Sequence, residues 1–158
     1  MTKAAPHDHR RGKSGAPPPS PLQSSGEKIL FLADYAGIDG LISACWTAVK
    51  SELAKQGYGA KKTKIRLSLH EALVNAWKHG NHQKPDLPVT FRWRFAGDFT
   101  FEVLDTGQGF SRQTMAMPLT HDRLTAESGR GLFIIRICSD RLCWEKDGSL
   151  IIVTFAHP

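Results

Sequence analysis

The sequence lacks a long hydrophobic run and has few cysteines. Its longest apolar run near either end, ILFLA from Ile29 to Ala33, is too short to span a bilayer, and no basic and then apolar signal segment starts the chain. We therefore expect a cytoplasmic protein that makes no membrane contact. The three cysteines, Cys45, Cys138 and Cys143, have neither the number nor the spacing of a disulfide framework or a zinc site, so we expect reduced, mostly buried thiols.

Acidic residues are in the minority, at 15 against 21 lysines and arginines, which gives a net charge of +6. A strongly basic protein can bind nucleic acid, so the distribution of the charge matters. Residues 1–26 carry four cations against one acid, which is half of the excess, and the other basic residues are spread along the chain. A diffuse surface charge is favoured over a nonspecific affinity for polyanions, which is the alternative, and we expect no direct binding of nucleic acid.

Large apolar side chains are scarce in residues 1–26, which contain five of the nine prolines. A segment of this composition cannot bury enough surface to offset the entropy lost on ordering it. We expect a disordered, basic, Pro/Gly/Ser-rich tail at 1–26, followed by one domain at 27–158. The apolar content of 41% is enough to build a single core.

Hydrophobic periodicity predicts an α+β domain. Apolar residues at steps of three and four indicate helices, and alternating ones indicate strands. The order of elements favours a two-layer sandwich in which a mixed, mostly antiparallel sheet carries helices on one face, while its other face is covered or forms an interface. The predicted elements are a strand at Lys28–Ala33, helices at Asp39–Gln56 and Ala60–His79, strands at Val89–Phe95 and Phe99–Leu104, a short buried helix at Gly131–Cys138, and strands at Arg141–Lys146 and Ser149–Phe155.

The central predicted helix carries polar groups opposite its apolar stripe. Glu71, Asn75, Lys78 and His79 are three to four residues apart and so project from one side of the helix. When this helix is taken alone, a solvated helix face is the favoured explanation for them. If this face is functional, the neutral oxygen of Asn75 is suited to bind Mg²⁺, and Glu71 is in a position to polarise a hydroxyl group or a water.

Two glycine-rich segments follow the central helix at a distance. Asp105 ends a predicted strand and can accept a hydrogen bond from an exocyclic amine, while Gly107 and Gly109 allow the backbone to pass close to a flat ring. Further on, Gly129, Arg130 and Gly131 precede an apolar helix, where free amides favour an anion. An Asp-Gly turn without a ligand and an ordinary glycine-rich helix start are the alternatives for each segment alone, and the order of the three segments is more informative than any one.

These segments resemble the sequence boxes of the GHKL ATPase superfamily. ExxxNxxxHGN at Glu71–Asn81 is similar to its N box, and DxGxGF at Asp105–Phe110 and ESGRGLFII at Glu127–Ile135 are similar to its two glycine boxes. The resemblance covers roughly residues 28–155 and is greatest to the stand-alone bacterial anti-sigma factor serine/threonine kinases. It implies the Bergerat ATP-binding fold, in agreement with the element order above.

The resemblance also implies ATP and Mg²⁺ as cofactors and assigns roles to single residues. Glu71 would be the catalytic base and Asn75 the Mg²⁺ ligand, and the segment Ser111–Ser128 would form a lid over ATP. The other residues that would contact ATP are His79 and Gly80 near the phosphates, Asp105, Gly107, Gly109 and Phe110 around adenine, Gly129, Arg130, Gly131 and Leu132 in the second glycine box, and Thr154 near adenine.

The partners implied by the resemblance are an antagonist (anti-anti-sigma) protein, which would be phosphorylated, and a sigma factor; a homodimer is compatible with the uncovered sheet face. A second hypothesis is a non-kinase, ATP-gated protein-binding module with the same pocket. The catalytic half of a histidine kinase is disfavoured because a long helical hairpin does not fit into 26 tail residues. Gyrase-like and chaperone-like ATPases are disfavoured because nothing follows Pro158 to serve as a transducer domain.

Overall fold

The computed structural model describes residues 23–108 and 127–158, and these form helices packed on one face of an antiparallel sheet. The prediction of an α+β two-layer fold is confirmed. The elements are β1 (Ser24–Phe31), α1 (Gly37–Lys55), α2 (Lys62–Asn75), β2 (Pro88–Ala96), β3 (Asp98–Leu104), α3 (Glu127–Cys138), β4 (Arg141–Glu145) and β5 (Leu150–Phe155).

In the described residues the strands lie in the order β1-β2-β3-β5-β4, and every neighbouring pair is antiparallel. Two of the pairs are tight hairpins. Gly97, with φ of 79°, supplies the left-handed conformation that the turn between β2 and β3 needs. Strand β3 is the central strand of the sheet. Asp105 directly follows β3 and therefore lies midway between the two outer strands.

The core lies between the sheet and the helices. Alternate residues of the central strands are fully buried phenylalanines, while α1, α2 and α3 contribute aliphatic residues from one stripe each. The principal core side chains are Phe91, Phe95, Phe99, Phe101 and Phe155 from the sheet and Leu41, Val49, Leu69, Leu73 and Ile135 from the helices.

Most element boundaries lie within two residues of the predicted ones, and three differ by four residues. Strand β1 begins at Ser24, inside the segment whose composition predicts a disordered tail, because its backbone pairs with β2 from the Ser24–Phe95 register onward. The central helix is α-helical only to Asn75 and continues as a π-helical turn, Ala76–Gly80. Helix α3 begins at Glu127, four residues before the predicted start at Gly131.

The cysteines are free, as predicted, but only Cys45 is buried; Cys138 is half-buried and Cys143 is exposed. Cys143 lies on the edge strand β4 and alternates with Leu142 and Trp144, which point to the core side of the sheet. No helix in the two described ranges is both long enough and apolar enough to cross a bilayer.

Candidate functional site

The end of helix α2 brings a carboxylate and an amide to the start of α3. Glu71 and Asn75 are one turn apart on α2, and both face Gly131. A Cβ atom on Gly131 would lie 2.8 Å from Glu71 Oε2 and 3.3 Å from both Asn75 amide atoms. Glycine at position 131 therefore lets the two helices approach closely enough to hold both polar groups between them.

Asp105 occupies the middle of the same region. It follows β3, is only 6% exposed, and accepts a hydrogen bond of 2.8 Å from the backbone N–H of Gly107. A Cβ on Gly80 would overlap the Asp105 carboxylate, and a Cβ on Gly107 would overlap the Gly80 backbone. The π-helical turn therefore packs directly on the Asp105 carboxylate and on the turn that follows it. This close packing leaves no room for a side chain at Gly80 or Gly107.

Burial raises the pKa of Asp105 to about 6, although the Gly107 N–H and the charge of His82 act in the opposite direction. Desolvation disfavours the charged form of a carboxyl group, and the single hydrogen bond compensates only in part. Asp105 is therefore mostly ionised at neutral pH and becomes protonated just below it.

Asn81 fixes the relative position of these segments. It is fully buried; its Nδ2 donates to the carbonyls of Leu87 and Pro88, both at 3.1 Å, and its Oδ1 accepts from the N–H and hydroxyl of Thr106 at 3.0 and 2.9 Å. Its own N–H donates to Ala76 O at 2.8 Å. One side chain therefore connects the π-helical turn, the start of β2 and the turn after Asp105.

A narrow cavity lies between the polar groups and the sheet. Its walls are mainly apolar, and Asn75, Asp105 and Ser149 supply polar groups; the remaining lining residues are Ala72, Ala76, Val103, Leu132, Trp144, Gly148 and Ile151. Its volume is about 10 Å³, room for about one water, so a larger guest requires lining side chains to move. Apolar walls with a few polar groups are the usual lining of small-molecule sites, so the cavity matches such a site in composition and not in its present volume.

Two buried donors at this cavity have no hydrogen-bond partner. Asn75 Nδ2 and Trp144 Nε1 are both buried and unpaired. Leaving such a group unsatisfied costs about 1–3 kcal/mol. Ser24 Oγ, Ser68 Oγ and Trp77 Nε1 are also buried without a partner in the described residues, but they do not line the cavity; at Asn75 and Trp144 a polar ligand in the cavity would satisfy both donors.

Most of the residues predicted for the site meet here. Glu71, Asn75, Gly80, Asp105, Gly107, Gly131 and Leu132 converge through the contacts above, and His79 lies half-buried on the π-helical turn. Arg130 is exposed in the first turn of α3, which also contains Gly129. Gly109, Phe110 and most of the predicted lid lie outside the described residues.

Thr154 does not join this cluster, which corrects its predicted place near the base. Its hydroxyl pairs with that of Thr100 at 3.0 Å on the face of the sheet opposite the helices, because its neighbours Val153 and Phe155 point into the core. Ser149 lies at the cavity instead, and its carbonyl accepts the Asp105 N–H at 3.0 Å. Ser149 and Thr154 are five residues apart, and residues an odd number apart in extended backbone face opposite sides of a sheet.

The start of α3 also changes which amides are free. The first four N–H groups of a helix have no partner within it, so they belong to residues 127–130. The N–H of Gly131, predicted as a free amide, falls within the helical hydrogen-bond pattern. The expected anion site at this helix start therefore keeps the amides of Gly129 and Arg130, and has those of Glu127 and Ser128 in place of the Gly131 amide.

The donor set fits a magnesium ion shared with phosphates better than an ion held by protein alone. The described residues contain no group of three or more His, Cys, Asp or Glu side chains able to hold a metal. Mg²⁺ typically keeps several waters and takes one or two protein oxygens beside substrate phosphates. The half-buried Glu71 and the amide of Asn75 match that limited requirement.

Comparison with known proteins supports this interpretation of the cavity. The sequence model of the histidine kinase-like ATPase domain matches residues 41–155, a range that contains α2, the Asp105 turn, α3 and the cavity. A search of curated proteins finds no significant match. The chain therefore belongs to the histidine kinase-like ATPase domain family and is an ATP-binding signalling module.

Proposed function

We propose that this member of the histidine kinase-like ATPase family is an ATP-dependent protein serine/threonine kinase and an anti-sigma regulator in a cytoplasmic partner-switching system. The observation that supports the proposal most is the meeting of the Glu71 carboxylate and the Asn75 amide at Gly131, beside the cavity that contains Asp105. A module that only bound ATP would need Asp105 and the glycines but not a carboxylate next to the metal ligand.

Asp105 is the proposed reader of the base. Its buried, ionised carboxylate accepts a hydrogen bond from the exocyclic amine of adenine, and its contact with Gly80 and Gly107 holds it in one orientation. The apolar walls of the cavity cover the ring. Leu132 and Trp144 are the large lining side chains that must move to admit it, since the cavity has room for only about one water.

Asn75 and Glu71 are the proposed catalytic pair. The Asn75 oxygen would hold Mg²⁺, and Glu71 would accept the proton of a serine or threonine hydroxyl from the protein substrate. ATP with Mg²⁺ supplies an activated phosphoryl group whose negative charge the metal offsets. A bond forms between the hydroxyl oxygen and the γ-phosphorus, the bond from that phosphorus to the β,γ-bridging oxygen breaks, and ADP leaves.

The proposed partners are an antagonist protein as phosphate acceptor and a sigma factor bound in the alternative state. A homodimer is part of the proposal because the face of the sheet away from the helices exposes apolar side chains. Ile29 and Phe31 on the edge strand β1 are 60% and 38% exposed, and they alternate with the buried Leu30. Exposed apolar residues on an edge strand are suited to an interface.

Phosphate transfer distinguishes the kinase from a non-kinase ATP-gated module. The protein is incubated with γ-labelled ATP, Mg²⁺ and a purified antagonist encoded beside it. We expect label on a serine or threonine of the antagonist with the wild type, and a loss of about a hundredfold or more with Glu71→Gln, because a general base contributes about that much. An unlabelled antagonist despite tight ATP binding would identify the non-kinase module.

Nucleotide affinity tests the site separately. ATP binding is measured by calorimetry with and without Mg²⁺ for the wild type, Asn75→Ala and Asp105→Asn. We expect Asp105→Asn to abolish binding in both conditions, and Asn75→Ala to remove only the gain that Mg²⁺ provides. Equal affinities for all three proteins would refute the assigned site.

A further inference from the structure

Helices α1 and α2 carry a basic, partly apolar surface that the nucleotide site does not use. Lys62, Arg66 and His70 follow each other at steps of four along α2, and Leu67 beside them is 40% exposed. Across the helix pair, Lys50 of α1 is also exposed. In the described residues none of Lys50, Lys62 and Arg66 forms an ion pair.

The same surface contains a hollow of about 170 Å³ between α1 and the start of α2. Trp46 and Leu53 contribute apolar walls, and Lys50 and Lys62 also line it. No acidic residue is among the residues that line the hollow. The hollow therefore offers an apolar side chain a place to insert between two ammonium groups that have no counter-charge.

Arg66 lies over the ring of Trp46, with its guanidinium carbon 5.9 Å from the ring centroid. This cation–π contact links the two helices and fixes the position of the arginine. It also covers a face of the indole, so Trp46 is poorly placed to stack on a nucleobase, which ordinarily needs an open aromatic face. The exposed Leu67 likewise favours an apolar side chain over a phosphate backbone.

This surface is directly connected to the candidate catalytic group. His70 Nδ1 lies 3.2 Å from Glu71 Oε1, and His70 belongs to the same row as Lys62 and Arg66. A partner seated along that row therefore extends toward Glu71.

We infer that the surface formed by Trp46, Lys50, Lys62, Arg66 and Leu67 is a docking site for an acidic, amphipathic segment of a protein partner. An apolar side chain of the segment fills the hollow, and its carboxylates pair with the lysines and with Arg66. The docking site itself does not depend on the proposed kinase function. The identification of the docked partner with the phosphate acceptor does rest on that proposal.

The test uses full-length protein without nucleotide and a short fluorescein-labelled peptide with Glu and Leu at helical spacing. Binding is followed by fluorescence anisotropy. A second peptide with Lys in place of Glu and an unlabelled single-stranded oligonucleotide are the comparison ligands. The variant is Arg66→Glu, and the matched control is Arg94→Glu, which makes the same charge change on an exposed residue of β2 in the other layer.

We expect the acidic peptide to bind the wild type and Arg94→Glu alike, and Arg66→Glu about fivefold or more weakly, because a like charge replaces an attractive one. No binding, equal binding by the lysine peptide, an equal loss in the two variants, or preferential displacement by the oligonucleotide would overturn the inference. Unchanged ATP affinity of Arg66→Glu shows that it is folded. Because the assay contains no ATP, docking can fail while phosphate transfer succeeds, and the reverse can also occur.

Discussion

At the scale of single residues, Asp105 combines a cost in stability with a function. Its pKa is raised to about 6 mainly by burial, so the folded protein binds the proton more tightly than the unfolded chain does. Between about pH 4 and 6 the native state therefore carries more protons, and the free energy of unfolding falls as the pH rises through that window. Above about pH 6 Asp105 is ionised, and the cost of burying its charge is fully present. The ionised carboxylate is also the form that accepts a hydrogen bond from adenine.

Asp105→Asn should therefore make the nucleotide-free protein more stable at neutral pH while it abolishes adenine recognition. We expect a gain of about 1–3 kcal/mol at pH 7.5, since Asn can still accept the Gly107 N–H without bearing a charge. Urea unfolding of both proteins measures the difference, which should vanish near pH 4, where Asp105 is protonated. A variant that is less stable than the wild type at pH 7.5 would contradict the prediction.

Asn81 illustrates the opposite case, in which a buried polar residue stabilises the site without contacting a ligand. Asn81→Ala removes the acceptor of two bonds from Thr106 and the donor to the carbonyls of Leu87 and Pro88. We expect a loss of about 3 kcal/mol in urea unfolding, because the carbonyls around Asn81 become buried without partners. ATP affinity should fall as well, since the turn after Asp105 loses its anchor.

Asn81→Asp provides the control for that experiment. It keeps the oxygen that accepts from Thr106 but loses the amide donor and adds a buried charge. If both variants unfold with free energies within about 0.5 kcal/mol of the wild type, Asn81 does not hold the π-helical turn, the start of β2 and the turn after Asp105 together.

At the scale of elements, the close approach of α3 to α2 depends on Gly131. Gly131→Ala should leave the fold intact, because the nearest atom to the added methyl group is the flexible end of Glu71. Alanine also favours a helix by about 0.5–1 kcal/mol. The displaced carboxylate should lower phosphate transfer about tenfold or more, while ATP affinity changes by less than about threefold.

Gly40→Ala in α1 is the matched control, because its Cβ would come no closer than 3.4 Å to another atom, the Cβ of Tyr35. Labelled-phosphate transfer and calorimetric ATP binding are measured for both variants. A loss of transfer in Gly40→Ala, or full activity of Gly131→Ala, would show that the spacing between α2 and α3 does not position Glu71.

Local sequence patterns were enough to predict most elements, but they did not predict the start of β1, the end of α2 or the start of α3. Alternation and turn residues located β2, β3 and the hairpin at Gly97, because these signals act within a few residues. The start of β1 at Ser24 and the π-helical turn after Asn75 depend on distant contacts, with β2 and with Asp105 respectively. Periodicity along one segment carries no information on such contacts.

In the candidate site, too, features set within one element were predictable and features set by distant contacts were not. The spacing of Glu71 and Asn75 on one helix face and the place of Asp105 at a strand end were predictable, since each follows from one element. Trp144 and Ser149 were missed because they reach the cavity from β4 and from the turn that follows it, which pack there only in the folded protein. Thr154 was assigned to the adenine site from the resemblance alone, and in the structure its hydroxyl pairs with that of Thr100 instead.

At the scale of the whole molecule, ligand binding and folding should be linked. The cavity is narrow, and two donors on its walls are unpaired, so the protein without nucleotide carries a cost that a bound ligand can remove. A ligand that binds only the folded state stabilises it by about 2.7 kcal/mol at a hundred times its Kd. Thermal unfolding therefore reports on recognition by the site without any assumption about catalysis.

We expect Mg-ATP at that concentration to raise the Tm by about 5–10 °C, and the same concentration of Mg-GTP to raise it much less. Adenine presents an amino group to the ionised Asp105, whereas guanine presents a carbonyl oxygen there, and two acceptors facing each other in a buried site are unfavourable. Asp105→Asn should abolish the difference between the nucleotides, because the variant lacks the ionised acceptor on which ATP binding depends and so gains no shift from either nucleotide. Equal shifts with ATP and GTP in the wild type would mean that Asp105 does not read the base, and that the cavity walls alone hold the ring.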